Sequence, residues 1–302
     1  MPEMSRRMFL GTIGLGAVAW ACGGSDEQVT SSPSPDAADD LSLFATAPQG
    51  LAVGDSRQGF AIIEGSKPIS PAAVSIRLIP PDGEPPGPIE ATKATVRFGL
   101  GGDEDHEHET EVQDIFVIRH TFEFPGVWEA EASFEGRTVR TAFQVAREST
   151  SPAVGEEAKA VASPTTADPM DADPVCTRTP PCSMHDVTIA DALAGSTPVV
   201  ITFATPRYCT SRTCGPVVDI VEVASEEIGD AAEFVHVEVW RDGESVGDFE
   251  DGFVQAFADY GFQTEPWTYF IGADGVVRDR WQGAVGAEEL LGAVKALVAG
   301  DL

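Results

Sequence analysis

The chain is poor in positive charge. Only 19 of its 302 residues are Lys or Arg, against 49 Asp and Glu, and the formal net charge is −30. Phosphate binding needs clustered Lys and Arg, so the scarcity argues against nucleic acid and against electrostatic adhesion to anionic lipid. Cysteine is scarce too: five in all, and none between residues 42 and 146, so no disulfide can form within that segment. The uncharged stretch Met8 to Ala21 is too short and too Gly-rich for a membrane span, which needs about 20 apolar residues. What is present is enough for real cores. A hydrophobic content of 42% excludes wholesale disorder, and the length suggests about two domains.

The N-terminus reads as an address rather than as fold. Residues 1–21 join a basic start, Ser5-Arg6-Arg7-Met8-Phe9-Leu10, to the uncharged stretch. SRRMFL resembles the twin-arginine export motif without its usual trailing Lys. Ala19-Trp20-Ala21-Cys22 resembles a bacterial lipobox, in which Cys22 becomes the lipidated first residue. Trp20 and the lack of Leu at position 19 depart from that pattern. The resemblance implies an extracytoplasmic protein held at the cell membrane by a lipid on Cys22.

Residues 22–41 are Gly, Ser, Pro, Asp and Ala with few apolar groups, the composition of a flexible tether. A second tether is expected over 147–174, where Pro152, Pro164, Pro169 and Pro174 interrupt a stretch without apolar periodicity. Two globular segments remain, 42–146 and 175–302. The first alternates with period two, as at Val74, Ile76 and Leu78, Thr95 to Phe98, Ile115 to Ile118 and Val127 to Ala132, and it closes with Arg137 to Val145. Turn signals such as Pro80-Pro81-Asp82-Gly83 and Pro125-Gly126 separate the runs. About seven short strands without a helix predict an all-β sandwich, and FPGVWEAEASFEG resembles a strand of immunoglobulin-like bacterial modules. His106 and His108 alternate with acids in GGDEDHEHETE, which reads as a solvated loop rather than a metal site.

The second segment has a different grammar. Pro198 to Phe203 is a continuous apolar run, hence a buried strand. Val217, Ile220, Val221, Ala224 and Ile228 mark an amphipathic helix, Phe234 to Trp240 a second strand, and Phe249, Phe253, Phe257 and Tyr260 a second helix. Trp267 to Ile271 and Val276 to Trp281 flank Ala273-Asp274-Gly275 as a hairpin, and Leu290 to Val298 form a last helix. The order β-α-β-α-β-β-α, with a right-handed first crossover, is that of the thioredoxin fold.

Cys176, Cys182, Cys209 and Cys214 all fall in this segment. Four cysteines allow three pairings, of which 176–182 and 209–214 are the simplest. Five residues along a helix would span over about 7 Å, so a 209–214 bridge needs Cys209 in the loop before the helix. Thr213 as N-cap puts Cys214 at N1 and Pro216 at N3. There the helix dipole favours a Cys214 thiolate, and Arg207 and Arg212 favour either thiolate. Cys176 and Cys182 precede the first strand, with Pro180-Pro181 stiffening the loop, and read as a structural disulfide.

Phe203-Ala204-Thr205-Pro206-Arg207-Tyr208-Cys209 resembles the FWAxWC stretch of thioredoxins, with Cys209-Thr-Ser-Arg-Thr-Cys214-Gly-Pro in place of Cys-Gly-Pro-Cys. Pro266, in Thr264-Glu265-Pro266-Trp267, matches the family's cis-proline, and Gly283 ahead of the last helix also fits. The resemblance covers about residues 186–300. It implies a thiol–disulfide oxidoreductase acting on protein clients, with Cys209, Cys214 and Pro266 as its site, Arg207, Tyr208 and Arg212 in support, and no cofactor. Cys209 matches the family's attacking cysteine.

Three other readings compete. A copper carrier similar to the Sco-type chaperones would hold Cu(I) through Cys209, Cys214 and His185, although that family's pair is CxxxC; His236 reads as a packed strand residue. A peroxidase of peroxiredoxin type would need PxxxTxxC, and Pro206, Thr210 and Cys214 are spaced one residue too long. A non-catalytic adaptor would keep both disulfides as staples.

Overall fold

The computed structural model describes residues 40–47, 50–98, 111–209 and 212–302. Arg6, Arg7, Cys22, the first tether as far as residue 39, His106, His108 and Thr210 lie outside the described residues.

Among the described residues, ten strands occupy the first half: β1 (Leu41–Ala45), β2 (Leu51–Ala52), β3 (Gly54–Glu64), β4 (Lys67–Ile69), β5 (Ser75–Ile79), β6 (Ile89–Glu90), β7 (Thr92–Phe98), β8 (Glu111–Phe122), β9 (Gly126–Phe134) and β10 (Arg137–Ala146). One sheet runs β1-β3-β8-β7 with β4 on β3, and the other runs β2-β10-β9-β5-β6. Along β9, Trp128, Ala130, Ala132 and Phe134 are buried while their neighbours point outward, which is the pleat's period of two. These side chains meet Phe60, Ile62, Phe116 and Phe122 of the facing sheet in one core. Phe122 lies edge-on to Trp128 at 5.0 Å and to Phe143 at 5.8 Å, the offset geometry that aromatic quadrupoles favour.

β3 obeys no alternation. Arg57 through Ile62 are all buried, because the outer face of this sheet is also covered. Ala61, Ala94, Val96, Ile115 and Val117 pack there with Ala284 from the second half of the chain.

That half holds α1 (Ile189–Leu193), β11 (Val199–Phe203), α2 (Cys214–Ile228), β12 (Glu233–Val237), α3 (Gln255–Tyr260), β13 (Trp267–Ile271), β14 (Val277–Gln282) and α4 (Ala287–Ala299). Its sheet runs β12-β11-β13-β14: β11 and β12 are parallel, and the other neighbours are antiparallel. Each strand sends alternate residues to opposite faces. Val200, Phe234, Phe270 and Trp281 pack with α2 and α4, while Ile201, Phe203, Val235 and Tyr269 pack with α1 and α3. Helices thus cover both faces of the sheet.

The second helix is shorter than its phenylalanine spacing predicts. Only Gln255–Tyr260 is helical; Phe249 sits in a preceding turn and Phe253 in an isolated antiparallel bridge to Trp240. There Asp248 Oδ1 accepts from the Glu250 and Asp251 amides, and Asp242 Oδ1 from those of Glu244 and Ser245. Such aspartate turns offer the backbone partners that compete with a helix.

All described residues belong to one compact unit, Asp39–Leu302. The Arg57 guanidinium, 2% exposed, makes two 2.7 Å hydrogen bonds to the Glu289 carboxylate on α4 and lies 5.0 Å from the Trp281 ring. Arg119 pairs with Asp279 on β14. At Gly283, with φ 80°, an added Cβ would sit 2.4 Å from the Thr46 carbonyl oxygen, so only glycine permits this approach of the sandwich to the turn before α4.

The stretch 147–174, expected as a tether, is instead a strap bound to the second half. The Gly155 amide donates to Val277 O and the Val277 amide to Glu156 O, at 2.9 and 2.8 Å. Tyr269 Oη donates to Pro152 O at 3.1 Å, and Arg280 Nη1 donates to Ser151 Oγ at 2.7 Å. The Ile189 amide donates to the buried Ser163 Oγ at 2.9 Å. Hydrogen bonds from backbone and hydroxyl groups hold it, with only Ala158 and Val161 packed on the core below, which is why its sequence has no periodicity. Among the described residues no helix is long and apolar enough to cross a membrane.

Candidate active site and a thiol–imidazole cluster

Cys209 and Cys214 are disulfide-bonded, with Cα atoms 5.9 Å apart. The bridge is possible because α2 starts at Cys214, with Thr213 as N-cap, and Cys209 stays in the loop. The two sulfurs differ in access. Cys214 is 0% exposed, while Cys209 is half-buried and lines a cavity of about 710 Å³. Phe44, Ala61 and Ile115 of the sandwich form one wall, and Tyr208, Trp240, Phe249 and Phe253 form the other, so both halves of the chain build this space. Phe249 is 62% exposed. The Tyr208 ring packs against Gly243, where an added Cβ would sit 2.9 Å from its hydroxyl.

The residue that sequence reasoning missed here is Glu265. Its peptide bond to Pro266 is cis, and Pro266 is buried behind it. Glu265 Oε2 lies 3.3 Å from Cys214 Sγ and accepts from the Thr205 amide at 2.6 Å, while Oε1 accepts from Trp240 Nε1 at 3.3 Å. Burial pushes its carboxyl up to about 7, against the opposing effect of those hydrogen bonds. Its one signal in the sequence was its place beside the matched proline. Of the supporting residues, Tyr208 and Arg212 line the cavity, whereas Arg207 is exposed and outside that lining.

Cys176 and Cys182 depart from the expected disulfide. Both are free thiols, with sulfurs 3.7 Å apart against about 2.05 Å for a bond. They share a pocket with two imidazoles. Cys182 Sγ lies 3.2 Å from His185 Nε2 and 3.2 Å from His236 Nδ1, and those nitrogens are 3.1 Å apart. Cys176 Sγ lies 3.9 Å from His236 Nδ1. His236, expected as a packed strand residue, is indeed fully buried on β12, but its ring faces sulfur. His185 belongs to this cluster, and Cys209 and Cys214 group with Glu265, so the trio Cys209, Cys214 and His185 expected for a copper carrier is not brought together. A polar residue inside the apolar run Phe-Val-His-Val was the available signal for His236.

The cluster's surroundings are polar and well fixed. His236 Nε2 donates to Ala204 O at 2.8 Å. The buried Glu238 carboxylate accepts from the Thr177 amide at 2.6 Å and from its hydroxyl at 3.0 Å, and burial pushes this carboxyl up to about 7. Arg178 on the same loop pairs with Asp219 of α2 at 2.6 Å. Desolvation by burial lowers the pKa of His185.

Compared with known proteins, the chain matches no family model, no curated protein and no solved structure.

Proposed function

We propose that the chain is a thiol–disulfide oxidoreductase acting through Cys209 and Cys214 on protein clients. One observation carries this reading: a half-buried cysteine, bridged to a buried one at a helix N-terminus, opens on an apolar cavity with a carboxyl 3.3 Å from the buried sulfur. Access assigns the roles. In the reduced pair the Cys209 thiolate attacks one sulfur of a client disulfide, and the other client sulfur leaves as a thiolate that takes a proton from water. Glu265 then accepts the Cys214 proton, and the Cys214 thiolate attacks Cys209 Sγ. The second client thiol leaves, the client has gained two electrons, and the pair is again a disulfide. The aromatic wall suits an apolar client segment around the exchanged sulfur. The sandwich then serves as one wall of the client site as well as a spacer.

The element order from β11 to α4 and the place of Pro266 support a thioredoxin-like arrangement of the second half, and the two facing sheets support an immunoglobulin-like first half. SRRMFL and Ala-Trp-Ala-Cys22 support export and lipid attachment.

Insulin reduction by a dithiol-driven assay tests the exchange. Cys209→Ser abolishes it. Cys214→Ser leaves a mixed disulfide on Cys209 that survives non-reducing electrophoresis. Unchanged insulin reduction in Cys209→Ser refutes the reading. Fatty-acid labelling of the chain, lost in Cys22→Ala, tests the anchor.

A further inference from the structure

We infer that Cys176, Cys182, His185 and His236 bind one Zn²⁺ ion in a closed tetrahedral centre. The inference is independent of the exchange chemistry at Cys209 and Cys214.

Geometry comes first. With Zn–S near 2.3 Å and Zn–N near 2.05 Å, a tetrahedron has edges of about 3.8 Å between sulfurs, about 3.5 Å between sulfur and nitrogen, and about 3.3 Å between nitrogens. Five of the six observed edges are 3.7 Å for sulfur to sulfur, 3.2, 3.2 and 3.9 Å for sulfur to nitrogen, and 3.1 Å for nitrogen to nitrogen; the sixth, Cys176 Sγ to His185 Nε2, is at most 4.8 Å. All four donor atoms lie within 4.8 Å of one another. A structural disulfide would instead pull the sulfurs together and leave both imidazoles without a role.

Outer contacts fix one imidazole and one sulfur of the ligand set, while the buried His185 Nδ1 has no hydrogen-bond partner among the described residues. The His236 Nε2–H donates to Ala204 O, which fixes the tautomer and turns the Nδ1 lone pair into the cluster. The Cys182 amide donates to Cys176 Sγ at 3.5 Å, a contact that favours thiolate. Three of the four ligands are fully buried and Cys176 is half-buried, so no position is left open for water or substrate.

Charge selects the ion. Binding releases two thiol protons to solvent, and two thiolates with two neutral imidazoles cancel the charge of Zn²⁺. The same set around Cu(I) leaves one net negative charge beside the buried Glu238, whose carboxylate holds the neighbouring Thr177. Neutrality in a buried site favours the divalent ion. The ion would tie the loop 176–185 to β12 across about 50 residues of chain, replacing by coordination the crosslink that a disulfide would have made.

The test uses the full chain. Purified without chelator, the protein is expected to carry about one zinc per chain. After removal of the metal under reducing conditions, Co²⁺ titration should give intense visible d–d bands and a thiolate-to-cobalt charge-transfer band that saturate at one equivalent. The Cys209→Ser/Cys214→Ser double variant should keep the metal, whereas Cys182→Ser and His236→Asn should lower retained zinc at least about tenfold. Three results overturn the inference: no cobalt bands in the wild-type chain, loss of metal in the double variant, or a Cys176–Cys182 disulfide found by mass spectrometry in protein purified without reductant. The cobalt experiment on the wild-type chain stands even if a ligand variant fails to fold.

Discussion

Glu265→Gln should remove a pH-dependent loss of stability. In the folded protein burial holds the carboxyl at about 7, against 4.5 in the unfolded chain. At about 1.4 kcal/mol per pH unit, the gap corresponds to roughly 3 kcal/mol. Below pH 4.5 the carboxyl is neutral in both states and nothing is lost. Between 4.5 and 7 the unfolded chain ionises while the folded one keeps its proton, so stability falls as pH rises. Above 7 both are ionised and the full loss is present. Gln is neutral throughout. Its carbonyl can still accept from the Thr205 amide, but its amino group then faces the Trp240 N–H, at a pH-independent cost of about 1 kcal/mol. Variant minus wild type should therefore shift by about 3 kcal/mol in the variant's favour between pH 4.5 and pH 8.5. Glu238 and His236, the charged neighbours of Glu265, titrate in both proteins, so of their contributions only the coupling to the Glu265 charge stays in the difference. Urea unfolding of the oxidised protein at the two pH values measures it. A difference constant to within about 0.5 kcal/mol would show that Glu265 is already ionised below neutrality, and the proton-acceptor role built on its raised pKa would fall.

Other outcomes follow from packing and contacts. Arg57→Ala empties a fully buried guanidinium site and strips Glu289, 22% exposed, of both hydrogen bonds, and should destabilise by about 3 kcal/mol, read as a lower urea midpoint; Arg57→Lys should recover only part of it, because a point charge cannot reproduce the fork. Phe122→Ala empties the ring position between Trp128 and Phe143 and should cost about 3–5 kcal/mol in the same assay. Gly283→Ala should destabilise more than Gly292→Ala on α4, where nothing lies within 4 Å of the added Cβ. Equal midpoints for the two glycine variants would mean that the sandwich and the turn before α4 do not meet as described.

Elements whose residues answer to one buried face were legible. The spacing of Val217, Ile220, Val221 and Ala224 gave α2, and all four are buried. The Cys209 loop position followed from helix rise alone, and α2 indeed starts at Cys214. β3 was not legible, since a strand covered on both faces has no period-two pattern; its Arg57 and Gln58 look like surface residues. The strap at 147–174 was missed because its anchors are amides and hydroxyls, which any Pro- and Ser-rich stretch carries. The cluster at Cys182 was hidden for a different reason. Its four ligands span 60 residues, and only the parallel pairing of β11 with β12 fixes the position of His236 against the loop before α1.

The two cysteine sites share one piece of backbone, and their contacts to it differ in kind. His236 of the cluster donates to Ala204 O, and Thr177, next to Cys176, accepts from the Arg207 amide at 3.2 Å. From the other side Glu265 accepts from the Thr205 amide, and the Thr205 hydroxyl accepts from the Val239 amide at 2.8 Å. The segment from Ala204 to Cys209 is therefore held at Ala204 and Arg207 from the cluster side and at Thr205 by the Glu265 carboxyl. The exchange proposed for Cys209 would need that segment to present one sulfur in two covalent states without losing its place beside Glu265. A cysteine pair that cycled in the neighbouring cluster would move the same backbone. Under the proposed assignments, thiols held there by an ion undergo no redox change of their own, which would leave Cys209–Cys214 as the one pair that opens and closes.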